Sequence, residues 1–591
     1  MNSPMPVPRR AAWVHRALAA GVLALAASAY LFVALPLLIY DGNRAEFDAT
    51  WPALLQPFAL VGATVVVASA VLAALLPEHW FRRMMVLAAA LCVLAWVQGT
   101  LLVWHYGPLD GGNIDWSQAR WRGWIDATLW IGALLVVDAK REQLARVLPR
   151  LAIVACLVQC VLAGWQLSRH AQLDGPVPAP ASTTQLARFS SRGNVLHILA
   201  DGMQTGVVKD LLDEDGGKLS RQLDGFVLFE DNLGAFPYTH MSVPAMLGGR
   251  VYDNARRQDD FLAEALGHDS IFGAARAAGF DVQAGIPGGG IREVYRHATD
   301  ARIVELPGFV PSSSWRGARQ ESLELADLSL FRIVPHFAKR HVYNDQAWLF
   351  QTLFGSTAVP GRAYLADHAF LRQFAATARR DAGRPAYTYL HLMLSHRPIV
   401  MNRDCSYAGR ILPTDREHVR DQTRCALRSV VALLARMRAL GVYDNTTVVV
   451  AGDHGAFVPP RTLPAGGAQA RQALALGLSP AMVGQARPVL LVKRPRAHGP
   501  LRRSEAPTSS VDIPATIADA AGFPLRRAGV SAFRLDPQAP RRRQFNVYAY
   551  GQGEWTAPYL APIQQYEVEG RTNDIASWSK GALLAAPPGQ R

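Results

Sequence analysis

Charge is sparse in this chain. Asp, Glu, Lys and Arg make up 18% of its 591 residues, while 50% are hydrophobic. That balance excludes an ordinary, wholly soluble enzyme of one compact domain and fits a membrane region joined to one large domain. Acidic residues are the rarer sign, 47 against 61 basic ones, for a formal net charge of +14. Arg-rich loops flanking membrane helices account for the excess; attraction to anionic headgroups or phosphorylated glycans is the functional alternative. No basic–aromatic nucleic-acid motif is present, so no nucleic-acid partner is expected. No internal repeat and no heptad pattern is present either, which excludes solenoids and coiled coils. Cysteine occurs five times. Cys92, Cys156 and Cys160 lie in apolar runs and read as inert small hydrophobes. Cys405 and Cys425 lie in the polar half, where they are natural disulfide partners if that half is extracytoplasmic and two unpaired thiols if it is not.

What is abundant is apolar sequence near the N-terminus. Residues 1–16 form a basic tail with Arg9, Arg10 and Arg16. Ala27-Ser-Ala29 resembles a signal-peptide cleavage site, but the uncharged run from Ala17 continues to Tyr40, long enough for a retained transmembrane helix. Further spans are expected over 53–76, 84–104, 123–137 and 151–167, giving a module of about five helices over 17–168. The span at 123–137 is the shortest and contains Asp126. Arg and Lys concentrate in the tail and in alternate loops (Arg82, Arg83; Lys140, Arg141, Arg146, Arg150). The N-terminus is therefore expected in the cytoplasm, and an odd number of spans puts everything after Arg169 outside. A Pro- and Ser/Thr-rich linker is expected over 169–193.

From Asn194 the texture changes to alternating strands and helices. Apolar strands at 195–200, 280–283, 386–394, 446–451 and 489–493 alternate with helices at 270–278, 419–440 and 512–521. The last two helices are closed by Gly441 and Gly522. This alternation predicts an α/β domain with a largely parallel central sheet over 194–540. Residues 541–591 read as a small C-terminal appendage.

The stretch Thr446-Thr-Val-Val-Val-Ala-Gly-Asp-His-Gly455 is a buried strand that delivers Asp453 and His454 to its C-terminal end, where ligands bind in open α/β sheets. Asp and His together suit zinc or manganese, whereas carboxylates alone suit magnesium or calcium; a capping Asp beside a surface His is the ordinary alternative. Asp201 ends another apolar strand, as a metal ligand or as the turn residue before Gly202. In Phe236-Pro-Tyr-Thr-His-Met-Ser-Val-Pro-Ala-Met-Leu-Gly-Gly249, Ser242 suits a helix N-cap and Pro244 its first turn. Thr239 then lies just before an anion-attracting helix N-terminus, as a nucleophile or as an ordinary loop hydroxyl. His396 and Arg397 follow a strand end and could hold anionic oxygens. His391, inside that strand, reads as a satisfied core histidine.

The order Asn-Val-Leu-His-Ile-Leu-Ala-Asp201, Thr239-x-x-Ser-Val-Pro-Ala-Met, His396, Gly-Asp453-His454-Gly and Asp512-Ile-Pro-Ala-Thr resembles the sulfatase branch of the alkaline phosphatase superfamily over about residues 194–530. With the spans before it, the chain is similar to lipid A phosphoethanolamine transferases and lipoteichoic acid synthases. The resemblance implies Asp201, Thr239, Asp453 and His454 as ligands of a divalent metal, Thr239 as nucleophile, and His396 near the substrate's anionic group, which Arg397 and the helix N-terminus at Ser242 could also hold. It implies a bacterial inner-membrane enzyme with a periplasmic catalytic domain, a membrane phospholipid as donor and an envelope glycan or lipid as acceptor. Two departures stand out. Met246 replaces the Arg of the sulfatases' Cys/Ser-x-Pro-x-Arg motif, which argues against sulfate ester hydrolysis. Asp201 stands where the membrane transferases more often carry Glu. The competing readings are a sulfatase or phosphodiesterase that hydrolyses envelope esters, and an inactive lipid-binding regulator.

Overall fold

The computed structural model describes residues 9–43, 47, 51–104, 106, 114, 116, 120–170, 185–288, 291–306, 315–344, 347–354, 365–526, 529–550 and 557–587. The chain divides into two compact units, Met1–Pro178 with Pro311–Ala358, and Ala179–Val310 with Val359–Arg591. Most of the expected linker, 171–184, lies outside the described residues. Its end is regular structure: Arg188–Ser190 is a short strand paired in parallel with Arg379–Asp381.

The first unit is helical. Trp13–Gly42, Trp51–Leu75, Glu78–Thr100 and Leu148–Gln166 are long and apolar enough to cross a membrane. The fifth expected span does form a helix, Arg120–Ala139, but is not among these four candidates. Arg120, Arg122, Asp126 and Asp138 make it more polar than the others. The Asp126 carboxylate is fully buried and accepts hydrogen bonds from Gln98 Nε2 (3.2 Å), Trp104 Nε1 (2.9 Å) and the backbone N–H of His336 (2.7 Å). A buried carboxylate with three donors is tolerable where a bare one is not.

His336 belongs to a stretch that the sequence reading placed inside an uninterrupted catalytic domain. Residues 311–358 group instead with the N-terminal helices. They form the helices Trp315–Ile333, His336–Val342 and Leu349–Phe354. Leu325 is buried in one cluster with Tyr30, Leu54 and Ala152.

The second unit is built on an eight-stranded sheet. In chain order its strands are β1 (Asn194–Ala200), β2 (Phe226–Phe229), β3 (Asp281–Ile286), β4 (Arg302–Glu305), β5 (Ala386–Leu392), β6 (Thr446–Ala451), β7 (Leu490–Lys493) and β8 (Arg502–Ser504). Across the sheet they run β8-β2-β7-β6-β1-β5-β3-β4. Every neighbouring pair is parallel except the two that β7 makes. The near-continuous apolar strands follow from burial on both faces. Val195 and Leu199 of β1 and Val449 and Ala451 of β6 enter one core. Leu196, Ile198, Val448 and Val450 enter the other.

The second core is covered by the helix Arg416–Ala439, through Leu427, Val430, Leu434 and Met437. This helix starts three residues earlier than the sequence predicts, because Asp415 caps it by accepting from His418 N. Gly441 follows at φ 64°, a left-handed conformation that glycine adopts without strain. The first core is covered by Thr239–Gly248, Gln258–Leu266, Ile271–Ala277 and Ile513–Ala521.

The C-terminal residues form a three-stranded antiparallel sheet, Arg542–Val547, Ile563–Glu569 and Trp578–Leu584. It is tied to the loop that leads to Thr239. Asn546 N donates to Ala235 O (2.9 Å), and buried Arg543 pairs with Asp231 (2.8 Å). A disulfide joins Cys405 to Cys425, linking the hairpin after β5 to the helix Arg416–Ala439.

Candidate active site

Parallel pairing decides where the polar residues go. Ala451 of β6 stands beside Leu199 of β1, and Ala200 beside Leu392 of β5, so three adjacent strands end on one edge of the sheet. Asp201 follows β1 directly, Asp453 and His454 follow β6, and His396 follows β5. Gly202 lets two of these loops meet. It sits at φ 68°, and a Cβ there would lie 3.3 Å from His396 Cα. Gly455 packs tighter still, since a Cβ would meet Gly484 O at 2.2 Å. A helix N-terminus completes the edge. Thr239 is the first residue of the helix Thr239–Gly248, and its Oγ1 lies 3.3 Å from Asp201 Oδ2.

Asp201 and Asp453 are both fully buried, which is costly for two neighbouring carboxylates. Asp453 Oδ1 accepts from Gly202 N at 3.3 Å. Asp201 Oδ1 and Asp453 Oδ2 accept no hydrogen bond. His454 Nε2 stands 3.5 Å from that Asp201 oxygen and 3.6 Å from that Asp453 oxygen, and His396 Nε2 stands 3.9 Å from Asp201 Oδ1. The other nitrogen of each ring is committed. His454 Nδ1 lies 2.9 Å from Gly455 O, and His396 Nδ1 lies 2.6 Å from Arg397 O. A carbonyl only accepts, so both Nδ1 atoms carry the hydrogen. In the neutral rings, two Nε2 lone pairs and two bare carboxylate oxygens then face one another. Only a positive charge between them makes such a cluster favourable, and the donor types suit a divalent cation. The ligand atoms of Asp201, His396 and His454 all lie within 4.8 Å of one another.

The protonation equilibria register the same crowding. Burial opposes ionisation of Asp201, but the imidazoles of His396, His391 and His454 outweigh it and hold the carboxyl below its usual range. Burial opposes charging of His454, but Asp453 and Asp201 outweigh it and raise the imidazole.

Two expected residues are placed differently. Ser242 is not the N-cap, because the helix begins at Thr239 with Tyr238 as its cap residue. Ser242 is fully buried, and its hydroxyl donates to Phe236 O at 2.8 Å. Pro244 consequently lies inside the helix rather than in its first turn. Arg397 lies with its guanidinium over the Phe457 ring, 3.3 Å from the centroid. A recess of about 10 Å³ bordered by Gly202, His396 and Phe457 has room for about one water.

The sequence reads His391 as a core histidine. It is buried and satisfied, but by the site. Its Nε2 donates to Asp201 Oδ2 (3.1 Å), and its Nδ1 accepts from Tyr295 OH (2.7 Å), which bonds Tyr389 OH (2.7 Å). The signal in the sequence was a polar residue near the end of a buried strand, one turn of loop before His396.

The family model described as Sulfatase matches residues 193–523. The chain belongs to the sulfatase family. That family lies in the alkaline phosphatase superfamily, whose members hydrolyse or transfer esters with a divalent metal, and the Asp201–His396–His454 group is a candidate for that metal. No curated protein matches the chain. Among solved structures it is similar to the lipoteichoic acid synthase LtaP from Listeria monocytogenes, with 11% identity over 68% of this chain and 90% of that one at a TM-score of 0.37. The phosphonate monoester hydrolase SpPMH from Silicibacter pomeroyi matches with 15% identity over 64% and 87% at 0.38. A protein in the alkaline phosphatase superfamily from Vibrio parahaemolyticus matches with 15% identity over 68% and 80% at 0.36. Likeness at this level says nothing about substrate.

Proposed function

We propose that this sulfatase-family protein is a membrane-anchored enzyme that transfers a phospho-substituent from a phospholipid headgroup to an envelope glycan or lipid through Thr239. The observation that carries the reading is the Thr239 hydroxyl, at the head of its helix and 3.3 Å from Asp201. The hydrolytic sulfatase reading would need Ser242 as the oxidised nucleophile. Its hydroxyl is sealed in the core against Phe236 O, and Met246 stands where the motif's Arg belongs.

Asp201, Asp453, His454 and the Thr239 hydroxyl make a mixed oxygen–nitrogen set that favours zinc or manganese over calcium or magnesium. The cation, when bound, lowers the pKa of the Thr239 hydroxyl and offsets charge on phosphoryl oxygens. Thr239 Oγ1 attacks the phosphorus as its own proton departs. The Oγ1–P bond forms, the bond from phosphorus to the diacylglycerol oxygen breaks, and that oxygen leaves protonated. His396 has 15% of its side chain exposed against 3% for His454. It faces the incoming group, and the free N–H groups at the helix N-terminus hold the phosphoryl oxygens. An acceptor hydroxyl then displaces Thr239, or water does so in a hydrolytic side reaction.

The site works outside the cytoplasm, in the periplasm of a bacterial inner-membrane protein. Two features support this, the basic loops and the oxidised Cys405–Cys425 pair; the orientation requires Arg120–Ala139 to cross as a fifth span beside the four apolar candidates. The three hydrogen bonds to Asp126 make that crossing tolerable in an apolar medium.

The test is mass spectrometry of the purified full chain after incubation with phospholipid. A phospho-adduct on Thr239 is expected, and Thr239→Ala should remove it and lower turnover at least about a thousandfold. Wild-type turnover in that variant would overturn the assignment.

A further inference from the structure

We propose a second ligand site in the catalytic unit, an anion pocket that takes a phosphate group at the opposite end of the sheet from Thr239. It is a recess of about 590 Å³ lined by Arg188, Arg276, Arg302, Arg379 and Arg384. Its position follows from strand direction. Asp281 opens β3, Arg302 opens β4, and Arg384 precedes β5, so the recess lies at the N-terminal ends of strands whose C-terminal edge carries the metal-binding group. At about 3.3 Å per residue, strands of this length hold the two sites roughly 20 Å apart.

The charges do not balance within the recess. Arg188 is paired with Asp281 and with Asp381 (3.5 Å), and Arg276 with Asp300 (3.7 Å). These pairs build the walls. Arg302 donates to the neutral side-chain oxygen of Gln185, and Arg384 stands exposed at the rim. Among the described residues, Arg302 and Arg384 therefore have no carboxylate of their own. Like charges gathered in a concavity repel one another and focus a positive potential, which an entering anion relieves. Guanidinium forks match phosphate oxygens in pairs. The volume lies within the range of small-molecule sites, enough for a phosphorylated sugar or a lipid headgroup, and Phe280 offers an apolar wall beside the charges.

This site stands whether or not Thr239 is the nucleophile. It is tested on the full chain in neutral detergent by calorimetric titration with inorganic pyrophosphate at 0.15 M salt. Saturable binding is expected, at least tenfold weaker in Arg302→Gln/Arg384→Ala. Binding should be unchanged in Thr239→Ala and in the charge-matched control Arg471→Ala/Arg502→Ala, whose Arg502 lies on the far edge strand β8. Turnover of Arg302→Gln/Arg384→Ala without added anion should match wild type. The proposal is overturned if the wild type shows no saturable binding, if Arg302→Gln/Arg384→Ala binds as tightly as wild type, or if the control weakens equally. Competition by dihexanoyl phosphatidylglycerol against glycerol 1-phosphate identifies the source. A better lipid competitor marks a headgroup site, and a better soluble one marks a free phosphorylated molecule.

Discussion

Two buried oxygens, Asp201 Oδ1 and Asp453 Oδ2, carry the argument for a cation, and each can be tested. Asp453→Asn removes one negative charge while keeping the shape of the side chain. The expected result is at least tenfold weaker metal retention by elemental analysis, with circular dichroism unchanged. A saturating cation at about a hundred times its Kd stabilises the fold by about 2.7 kcal/mol, so the variant should also lose most of the Tm drop that a chelator causes in wild type. Asp367 gives a second test. Burial pushes its carboxyl up to about 6, although the Met393 N–H works against this. A raised carboxyl stabilises the fold below its unfolded pKa near 4 and loses that contribution as pH climbs through 6, up to about 3 kcal/mol. His197, His240 and His368, depressed by burial to about 3, 4 and 4, act in the opposite sense and lose stability as pH falls below 6.5. The difference in Tm between wild type and Asp367→Asn across pH 4 to 6 isolates the carboxyl. It should change steadily over that window, and a flat difference would refute the assignment. The meeting of Asp201, Asp453, His454 and His396 was legible because strand ends are legible. The bond from His391 to Asp201 was not, since an inward-facing histidine in a strand looks alike whether its partner is a tyrosine or a ligand.

At the scale of elements, apolar runs bounded by glycine located β1, β5, β6 and the long helix Arg416–Ala439 to within a few residues. The short edge strands β4 and β8 carry Arg at their starts and lack any such run, so only pairing reveals them. The helix Arg120–Ala139 is the informative failure of hydropathy. Asp126 looks like a defect in a span, and the structure shows it as a junction with the backbone of His336, more than two hundred residues along the chain. Asp126→Ala would strand three donors, each at a cost of about 1–3 kcal/mol. The expected outcome is faster hydrogen exchange through His336–Val342 and earlier proteolysis of that stretch, while exchange in Leu148–His170 stays as in wild type.

At the scale of the molecule, two compact units share one chain that crosses between them more than once. Continuous sequence reading could not see this, because the helices Trp315–Ile333, His336–Val342 and Leu349–Phe354 resemble many parts of an α/β domain. A fragment starting at Ala179 is expected to aggregate, since Leu325 and its neighbours lose their cluster with Tyr30 and Leu54. The same fragment with 311–358 replaced by a Gly/Ser linker of equal length should be monodisperse by light scattering and should keep the Thr239 chemistry on a soluble donor analogue. The neighbours in the middle of the sheet have a different consequence. Gly202 and Asp453 touch across 251 residues of sequence, so a polypeptide still growing on the ribosome holds only half a cage until β6 has emerged. Synthesis itself thus acts as the safety catch: a chain interrupted before Asp453 lacks part of the cluster, and under the proposed function no unfinished copy is active.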